Sequence, residues 1–221
     1  VTDRRTRALA PGTLAVLEDA ERRPMGLVGV NPTSKIICRM LDPDPAAEID
    51  AGWFRDRLRT ALAHRERLFS RPFYRLVHAE ADGLPGVVID RFGDAAVVQP
   101  NAAWADTRFD DLAQALVEVT GVATVVKNAT GRARSLEGLD DVTAIVQGAL
   151  DGPVEVPMNG ATYLADLTGG QKTGLYYDQR DNHAFAARLA RGGRVLDVFS
   201  HVGGFALAGL AAGADRALAV D

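Results

Sequence analysis

The chain has 221 residues, a hydrophobic fraction of 47% and a formal net charge of −4. This length suffices for one or two buried cores, and no apolar run approaches the roughly 20 residues of a membrane span. A single cysteine excludes an internal disulfide framework and favours a reducing compartment, so we expect a cytoplasmic protein without a membrane partner. The four histidines lack the spacing of metal ligands, and we expect no metal.

Short apolar runs in residues 1–42 predict three strands, at 14–17, 25–30 and 36–40. The sequence Asp42-Pro-Asp-Pro45 follows and predicts a linker, because a residue before proline avoids the helical region. From about Glu48 to Phe69 the apolar spacing predicts an amphipathic helix.

Basic charge is concentrated in this helix and just after it. Seven arginines and His64 lie between residues 55 and 75, against two acidic residues, which makes a local charge of about +5. Arginine binds phosphate oxygens in a bidentate manner, so this cluster is a candidate phosphate-binding surface. A solvated helix face with several unpaired arginines is the alternative.

Residues 73–150 predict a small α+β unit. Its strands are expected at 74–79, 87–90, 95–99 and 123–127, and its helix at 109–119. Gly152-Pro153 marks the next boundary. Two apolar runs, at 154–157 and 162–166, flank Asn159-Gly160, a pair typical of a hairpin turn.

The segment from Gly169 to Arg180 is polar and punctuated by glycine. Asp178 is a suitable N-cap for a helix predicted over 179–190. A solvated loop with a good N-cap would account for part of this pattern. A helix cap alone does not require so many donors and acceptors within ten residues. The polar residues concerned are Gln171, Lys172, Thr173, Asp178, Gln179 and Arg180.

A strand–loop–helix–strand pattern closes the chain. Residues 194–199 and 217–220 predict buried parallel strands, and 205–212 predict the helix between them. Gly203 and Gly204 let the backbone bend and approach a ligand at the amides that begin the helix. This pattern indicates a nucleotide-binding βαβ unit, although an ordinary βαβ turn would look similar. The loop lacks G-x-G-x-x-G, which disfavours NAD.

Two aspartates in this unit are candidate ligand contacts. Asp221 ends the second strand, 18 residues after Gly203, about where βαβ nucleotide folds place an acid on ribose hydroxyls. Asp197 lies inside the first apolar strand, where a carboxylate needs a partner. A cationic amine would be a suitable one.

Three segments resemble one known family. They are Gly-Gln-Lys-Thr-Gly-Leu-Tyr-Tyr-Asp-Gln-Arg-Asp-Asn182, Asp-Gly-Leu-Pro-Gly-Val-Val-Ile-Asp-Arg-Phe-Gly93 and Asn-Pro-Thr-Ser-Lys-Ile-Ile-Cys-Arg39. The first is similar to the signature of S-adenosylmethionine (SAM)-dependent ribosomal RNA methyltransferases related to large-subunit methyltransferase I, which act on cytosine C5. The last is similar to the end of a PUA domain, a small RNA-binding β-barrel. The family usually has Tyr-Thr at positions 201–202, and arginine is common at 183.

The resemblance implies an α/β fold with a truncated Rossmann-like SAM methyltransferase domain, preceded by a small α+β domain and a partial PUA-like β-barrel. The implied domains are residues 1–42 (barrel), 43–72 (linker and arginine-rich helix), 73–150 (α+β domain) and 151–221 (start of the SAM domain). The implied cofactor is SAM and the implied partner is ribosomal RNA, with a homodimer left open.

The resemblance also implies roles for particular residues. Asp221 would hold the ribose, Asp197 would face the amine, and Lys172 or Arg180 would pair with the carboxylate of SAM. The full set of implied SAM contacts is Gln171, Lys172, Thr173, Asp178, Arg180, Asp197, Phe199, Ser200, Gly203, Gly204, Phe205 and Asp221. The implied RNA contacts are Arg55, Arg57, Arg65 and Arg67. His201 is either a cofactor contact or a loop residue that faces solvent.

Cytosine-C5 methylation, as the resemblance implies it, uses a thiolate that adds to C6 and later leaves. Cys38 lies in an apolar strand pattern and is expected to be structural. The resemblance therefore places the nucleophile beyond Asp221, in a chain expected to be truncated at its C-terminus and also incomplete at its start. Two alternatives stay open: an RNA-binding protein without catalysis, and a SAM methyltransferase that acts on N or O atoms.

Overall fold

The computed structural model describes residues 4–170 and 173–221. The chain forms two compact units, Val1–Gly148 and Ala149–Asp221. The predicted SAM domain begins at 151, close to this division, whereas the finer division of residues 1–150 into three parts stays a prediction. In the described ranges, no helix has the length and apolar character needed to cross a membrane.

The first unit contains eight strands and four helices among its described residues. The strands are β1 (Thr13–Glu18), β2 (Pro24–Val30), β3 (Cys38–Asp42), β4 (Phe73–His78), β5 (Val87–Phe92), β6 (Ala95–Pro100), β7 (Thr124–Ala129) and β8 (Val142–Gln147). The helices are α1 (Ala51–Leu68), α2 (Ala103–Thr107), α3 (Phe109–Thr120) and α4 (Arg132–Glu137). Helices α2 and α4 and strand β8 were not predicted, and the two helices, of five and six residues, are too short to show a helical period.

Strands β1, β2 and β3 form an open antiparallel sheet. None of the sheets in the described residues closes into a barrel, and the partial PUA-like barrel stays a prediction. The β1–β3 sheet packs against the helices that follow it. Leu27 and Leu41 belong to the same buried cluster as Trp53 of α1, and a Cβ atom at Gly29 would lie 2.7 Å from the Cβ of Trp104 in α2.

A five-stranded mixed sheet organises the rest of the first unit. Its order is β4-β5-β6-β7-β8, with β6 and β7 parallel and the other neighbours antiparallel. Helices α1 and α3 pack against each other. Asp50 caps α1 by accepting a hydrogen bond from the Trp53 amide, and Phe54 and Leu58 are fully buried. The amphipathic helix predicted from about 48 to 69 is thus confirmed, with its start at the capped position.

The Asp82-Gly-Leu-Pro-Gly86 segment has a structural role in this unit. Asp82 accepts two hydrogen bonds from Arg65, of 2.7 and 2.6 Å, and one from the His78 amide. The Pro85 carbonyl accepts a hydrogen bond from the Trp104 indole. Gly86 has a φ of +77°, and a Cβ atom there would lie 2.6 Å from that of Ala102. This position therefore needs glycine.

The second unit begins with a hairpin and ends with a βαβ unit. Its elements are β9 (Val154–Met158), β10 (Ala161–Ala165), α5 (Arg180–Leu189), β11 (Arg194–Val198), α6 (Gly204–Ala211) and β12 (Arg216–Val220). Asn159 and Gly160 both have positive φ, which confirms the predicted hairpin turn. Strands β11 and β12 are parallel and joined through α6, as the sequence predicts.

Candidate functional site

A cavity of about 560 Å³ opens at the carboxyl ends of β11 and β12. In α/β folds, ligands bind at this end of the parallel strands, next to the start of the following helix. The lining residues are Leu175, Tyr176, Asp178, Gln179, His183, Asp197, Val198, Phe199, Ser200, His201, Val202, Gly204, Phe205 and Asp221. Seven of them were predicted as cofactor contacts, from four separate stretches of sequence, and the fold brings them to one place.

The loop between β11 and α6 has an unusual backbone. Phe199 and His201 adopt positive φ values of 62° and 51°, and Gly203 has a φ of 75°. Positive φ is unfavourable for residues with a side chain, and such strain is concentrated at functional sites. The Ser200 amide donates to the Val220 carbonyl (3.1 Å) and the Gly203 amide to that of Ser200 (2.8 Å), which holds the loop in this form. Phe199 is 88% exposed as a result.

Asp197 is buried beneath the start of α6. Its Oδ2 atom accepts a hydrogen bond of 3.0 Å from the Ala206 amide, one of the four amides that a helix N-terminus leaves without an intrahelical partner. The positive end of the helix dipole also favours a carboxylate there. Asp197 therefore has a partner within the fold, the Ala206 amide, whereas the sequence suggested a ligand amine as its partner.

Asp221 lies at the end of β12 and is exposed. Its Oδ1 atom accepts a hydrogen bond of 3.1 Å from the His201 amide. The His201 ring in turn meets the Tyr176 ring edge-on, with 5.1 Å between the centroids. Asp221 thus reaches the cavity and also holds one side of the strained loop.

His183 on α5 is 6% exposed and lines the cavity. Its ring lies 4.5 Å from that of Phe205, edge to face. A methyl group at Gly204 would overlap the imidazole, so glycine at 204 makes room for this histidine. The Nδ1 atom is buried and has no hydrogen-bond partner within the described residues. Burial lowers the pKa of His183 below its usual value, and Asp197 and Asp178 oppose this effect.

Three predicted cofactor residues do not line this cavity. Thr173 is buried, with its hydroxyl donating to the Leu175 carbonyl at 3.4 Å. Arg180 stacks near the ring of Tyr177, and burial lowers its pKa. Gly203 precedes α6 as its left-handed N-cap. Gln171 and Lys172 lie outside the described residues.

The predicted capping role of Asp178 is wrong. The N-cap of α5 is Gln179, whose side chain makes no capping hydrogen bond within the described residues. Residues 177–179 already form a 3-10 turn that leads into the helix. The exposed carboxylate of Asp178 is left at the mouth of the cavity.

Several lining residues were not predicted as contacts. They are Leu175, Tyr176, Gln179, His183, Val198 and Val202, together with His201, whose role was left open. Tyr176 and Gln179 lie inside the recognised polar signature, so adjacency could have indicated them. His183 had no such signal, because its place in the cavity depends on the packing of α5 against α6.

The arginine cluster of the first unit is largely ion-paired. Arg55 pairs with Glu118, Arg57 with Asp42, Arg59 with Asp56, Arg65 with Asp82 and Arg75 with Asp90, at 2.6–3.4 Å. The count of about +5 included only charges between residues 55 and 75, and it overstates the charge of this surface because most of the acidic partners lie elsewhere in the sequence. Of the four predicted RNA contacts, Arg67 alone forms no ion pair within the described residues, and it is exposed.

Cys38 is the only cysteine of the chain and lies in β3 of the first unit. Burial raises the pKa of its thiol, and a protonated thiol is a weak nucleophile. These observations agree with the structural role predicted for it. The described residues contain no cluster of three or more His, Cys, Asp or Glu that could hold a metal.

Curated relatives match along the chain. The ribosomal RNA large subunit methyltransferase I of Alteromonas mediterranea is 37% identical over 224 residues, which covers 100% of this chain and 56% of the relative. The protein of the same name from Tolumonas auensis is 38% identical and covers 86% of the chain and 49% of the relative. The chain thus spans about half the length of these relatives. No protein-family model matches it.

Solved structures share the fold. A putative SAM-dependent methyltransferase from Streptococcus mutans superposes with a TM-score of 0.82 at 21% identity, over 96% of this chain and 55% of that one. A putative methyltransferase complexed with S-adenosylhomocysteine (SAH) gives the same values. The chain therefore has the α/β fold of a SAM methyltransferase, with a mixed central sheet in its first unit.

Proposed function

We propose that this chain is part of a SAM-dependent methyltransferase of large-subunit ribosomal RNA, and that its second unit binds SAM. The observation that carries the proposal is the cavity at the ends of β11 and β12. Its walls combine the free end of a helix, a buried carboxylate and an acid at the tip of the second strand. The RNA substrate is proposed from the names of relatives that match the chain over 86–100% of its length.

In this proposal each side of the cavity has a role. Asp221 would accept hydrogen bonds from the ribose hydroxyls, as acids at this position do in nucleotide folds. The amides at the start of α6 and the carboxylate of Asp197 would face the amino-acid end of SAM. Gln171, Lys172, Thr173 and Arg180 are kept as proposed contacts on the sequence signature alone. SAM would supply an electrophilic methyl group on its sulfonium.

The first unit would position the RNA. The β1–β3 sheet stands where the sequence resembles a PUA domain, and α1 carries the exposed Arg67. The finer proposal is methylation at cytosine C5 through a thiolate. The raised pKa of Cys38 argues against its use, so we assign the nucleophile to no residue of this chain.

Isothermal titration of the full chain with SAM tests the proposal. We expect saturable binding to the wild type and weaker binding to Asp197→Asn, because the variant removes a buried charge next to the proposed ligand. The control is Asp215→Asn, an exposed acid that does not line the cavity. Absence of SAM binding, with RNA binding retained, would favour the RNA-binding protein without catalysis.

A further inference from the structure

The imidazole of His183 lies against the first residue of α6. A Cβ atom at Gly204 would lie 2.5 Å from Nε2 and 3.1 Å from Nδ1 of this ring, and the heavy atoms nearest to it all belong to His183. Heavy atoms in favourable contact are about 3.5–4.0 Å apart, so a methyl group does not fit there. The ring therefore occupies the space that a side chain at position 204 would need.

The backbone conformation of Gly204 does not explain why this residue is glycine. Gly203 has a φ of 75°, which favours glycine, whereas Gly204 does not have a positive φ and is the first residue of α6. A backbone of that kind is open to residues with a side chain. The buried imidazole is thus the feature of the described structure that requires glycine at 204.

The same ring is part of the cavity wall. His183 is 6% exposed and lines the cavity together with Gly204 and Phe205. Its ring meets that of Phe205 edge to face, and the next residue, Ala206, donates its amide to Asp197. The Nδ1 atom of His183 has no hydrogen-bond partner within the described residues. The imidazole therefore packs on the turn that begins the helix at the cavity.

We propose that His183 and Gly204 are a size-matched pair that holds the first turn of α6 in place for SAM, which makes His183 a positioning residue for the cofactor. The inference rests on the proposed function. A helix start that is fixed by packing keeps its amides and the Asp197 carboxylate in one geometry, so binding does not require that this turn be reordered. The family resemblance implied a SAM contact at Gly204 and none at His183, and the pair follows from the packing of α5 against α6.

The test is a double-mutant cycle, with the dissociation constant of SAM measured by isothermal titration on the full chain at pH 8. Gly204→Ala should weaken binding by about tenfold or more, because its methyl group displaces the ring or the helix. His183→Ala should weaken binding several-fold, because it removes the packing that holds the turn. The variant with both changes should bind no more weakly than His183→Ala alone, since the methyl group then has room.

Gly209→Ala is the matched control on the same helix. Gly209 does not line the cavity, and a Cβ atom there would lie 2.9 Å from Cγ2 of Val195 instead of near His183. The effect of Gly209→Ala on SAM binding should therefore be the same with and without the His183 ring. The inference is overturned if the variant with both His183→Ala and Gly204→Ala binds as weakly as Gly204→Ala, because the methyl group would then obstruct SAM itself.

A second comparison decides if circular dichroism shows that Gly204→Ala does not fold. Phe185→Ala also removes an aromatic ring from α5, but this ring is 58% exposed and does not line the cavity. His183→Ala should weaken SAM binding several-fold and Phe185→Ala should not. A dissociation constant that His183→Ala leaves unchanged overturns the inference, whereas failure of the wild type to bind SAM overturns the proposed function itself.

Discussion

Single residues of the second unit each serve both the fold and the site. Asp221 accepts the His201 amide and so helps to hold a loop in which two residues with side chains have positive φ. Asp197 accepts an amide of α6 while it lines the cavity. Loss of either carboxylate therefore affects the loop or the helix and, in the proposed function, also the ligand.

Asp221→Ala should weaken SAM binding by about 1–3 kcal/mol, the usual effect of losing a hydrogen bond to a charged group. The variant removes the proposed ribose contact and the anchor of His201. Isothermal titration measures the change, with Asp215→Ala as the control for loss of an exposed acid. A dissociation constant equal to that of the wild type would remove Asp221 from the site.

His183 should make the stability of the second unit depend on pH. Its pKa is lowered from 6.5 in the folded chain. Below about pH 6.5 the unfolded chain binds a proton that the folded chain does not, so the free energy of unfolding falls as the solution is acidified. Above that pH the effect is absent.

Urea unfolding followed by far-ultraviolet circular dichroism between pH 5 and 8 measures this dependence. We expect His183→Gln to flatten the curve between about pH 5 and 6.5, because glutamine does not titrate. His64→Gln, at an exposed position on α1, is the matched control and should leave the curve unchanged. Equal slopes for the wild type and His183→Gln would contradict the neutral, buried state of this side chain.

At the scale of elements, α4 secures the first sheet through one buried carboxylate. Glu137 is 4% exposed and accepts hydrogen bonds from Asn31, Ser34 and Arg39 at 2.7–3.1 Å. Burial alone would raise the pKa of Glu137, but these three donors together hold it below its usual value. The Asn-Pro-Thr-Ser segment that resembles the end of a PUA domain thus has a structural role here.

Glu137→Ala should lower the free energy of unfolding by roughly 3 kcal/mol, because it removes the buried carboxylate that accepts from Asn31, Ser34 and Arg39. Glu80→Ala is a matched control, since Glu80 pairs with the same Arg39 at 3.2 Å but is largely exposed. It should change stability by no more than about 1 kcal/mol. Chemical denaturation followed by the fluorescence of Trp53 and Trp104 measures both, and equal losses would mean that the Glu137 network is not what secures the sheet.

Helix α1 carries two kinds of arginine. Some make contacts that hold the fold, and others are exposed and available to a ligand. Arg57 lies over the Trp53 ring, 3.4 Å from its centroid, and pairs with Asp42 at 2.7 Å. Arg65 is bonded to Asp82 through two nitrogens. Replacing either would disturb packing as well as charge, so neither is a clean test of RNA binding.

The exposed arginines of this region give a cleaner test. The triple variant Arg59→Gln, Arg67→Gln and Arg71→Gln should weaken RNA binding and reduce its salt dependence by about 0.7 log units of slope per lost contact. Electrophoretic mobility shifts at several salt concentrations measure the slope, and SAM affinity should stay the same. Arg132→Gln, exposed at the start of α4, is the control. A slope equal to that of the wild type would mean that these arginines face solvent and do not contact RNA.

The fold of the whole chain is shared with a protein whose sequence is only distantly similar. The S. mutans structure matches 96% of the chain with a TM-score of 0.82, at 21% identity. Both units follow from patterns of apolar residues and turns that many sequences can satisfy.

Features that depend on near neighbours in the chain could be predicted from the sequence alone. The strands around Asn159-Gly160, the βαβ unit from Arg194 onward and the course of α1 were predicted because period, turn chemistry and glycine position act within a few residues. Asp197 and Asp221 were predicted as ligand contacts for the same reason, from the place of each at a strand, and both line the cavity.

Contacts between groups far apart in the chain could be seen only in the folded structure. Arg65 and Arg75 are paired with Asp82 and Asp90, 17 and 15 residues away, and Glu137 bonds to Asn31 across 106 residues. A local sequence pattern does not indicate such pairs, so the count of charges between residues 55 and 75 overstated how basic this surface is. His183 entered the cavity in the same way, because the packing of two helices, and the absence of a side chain at Gly204, placed it there.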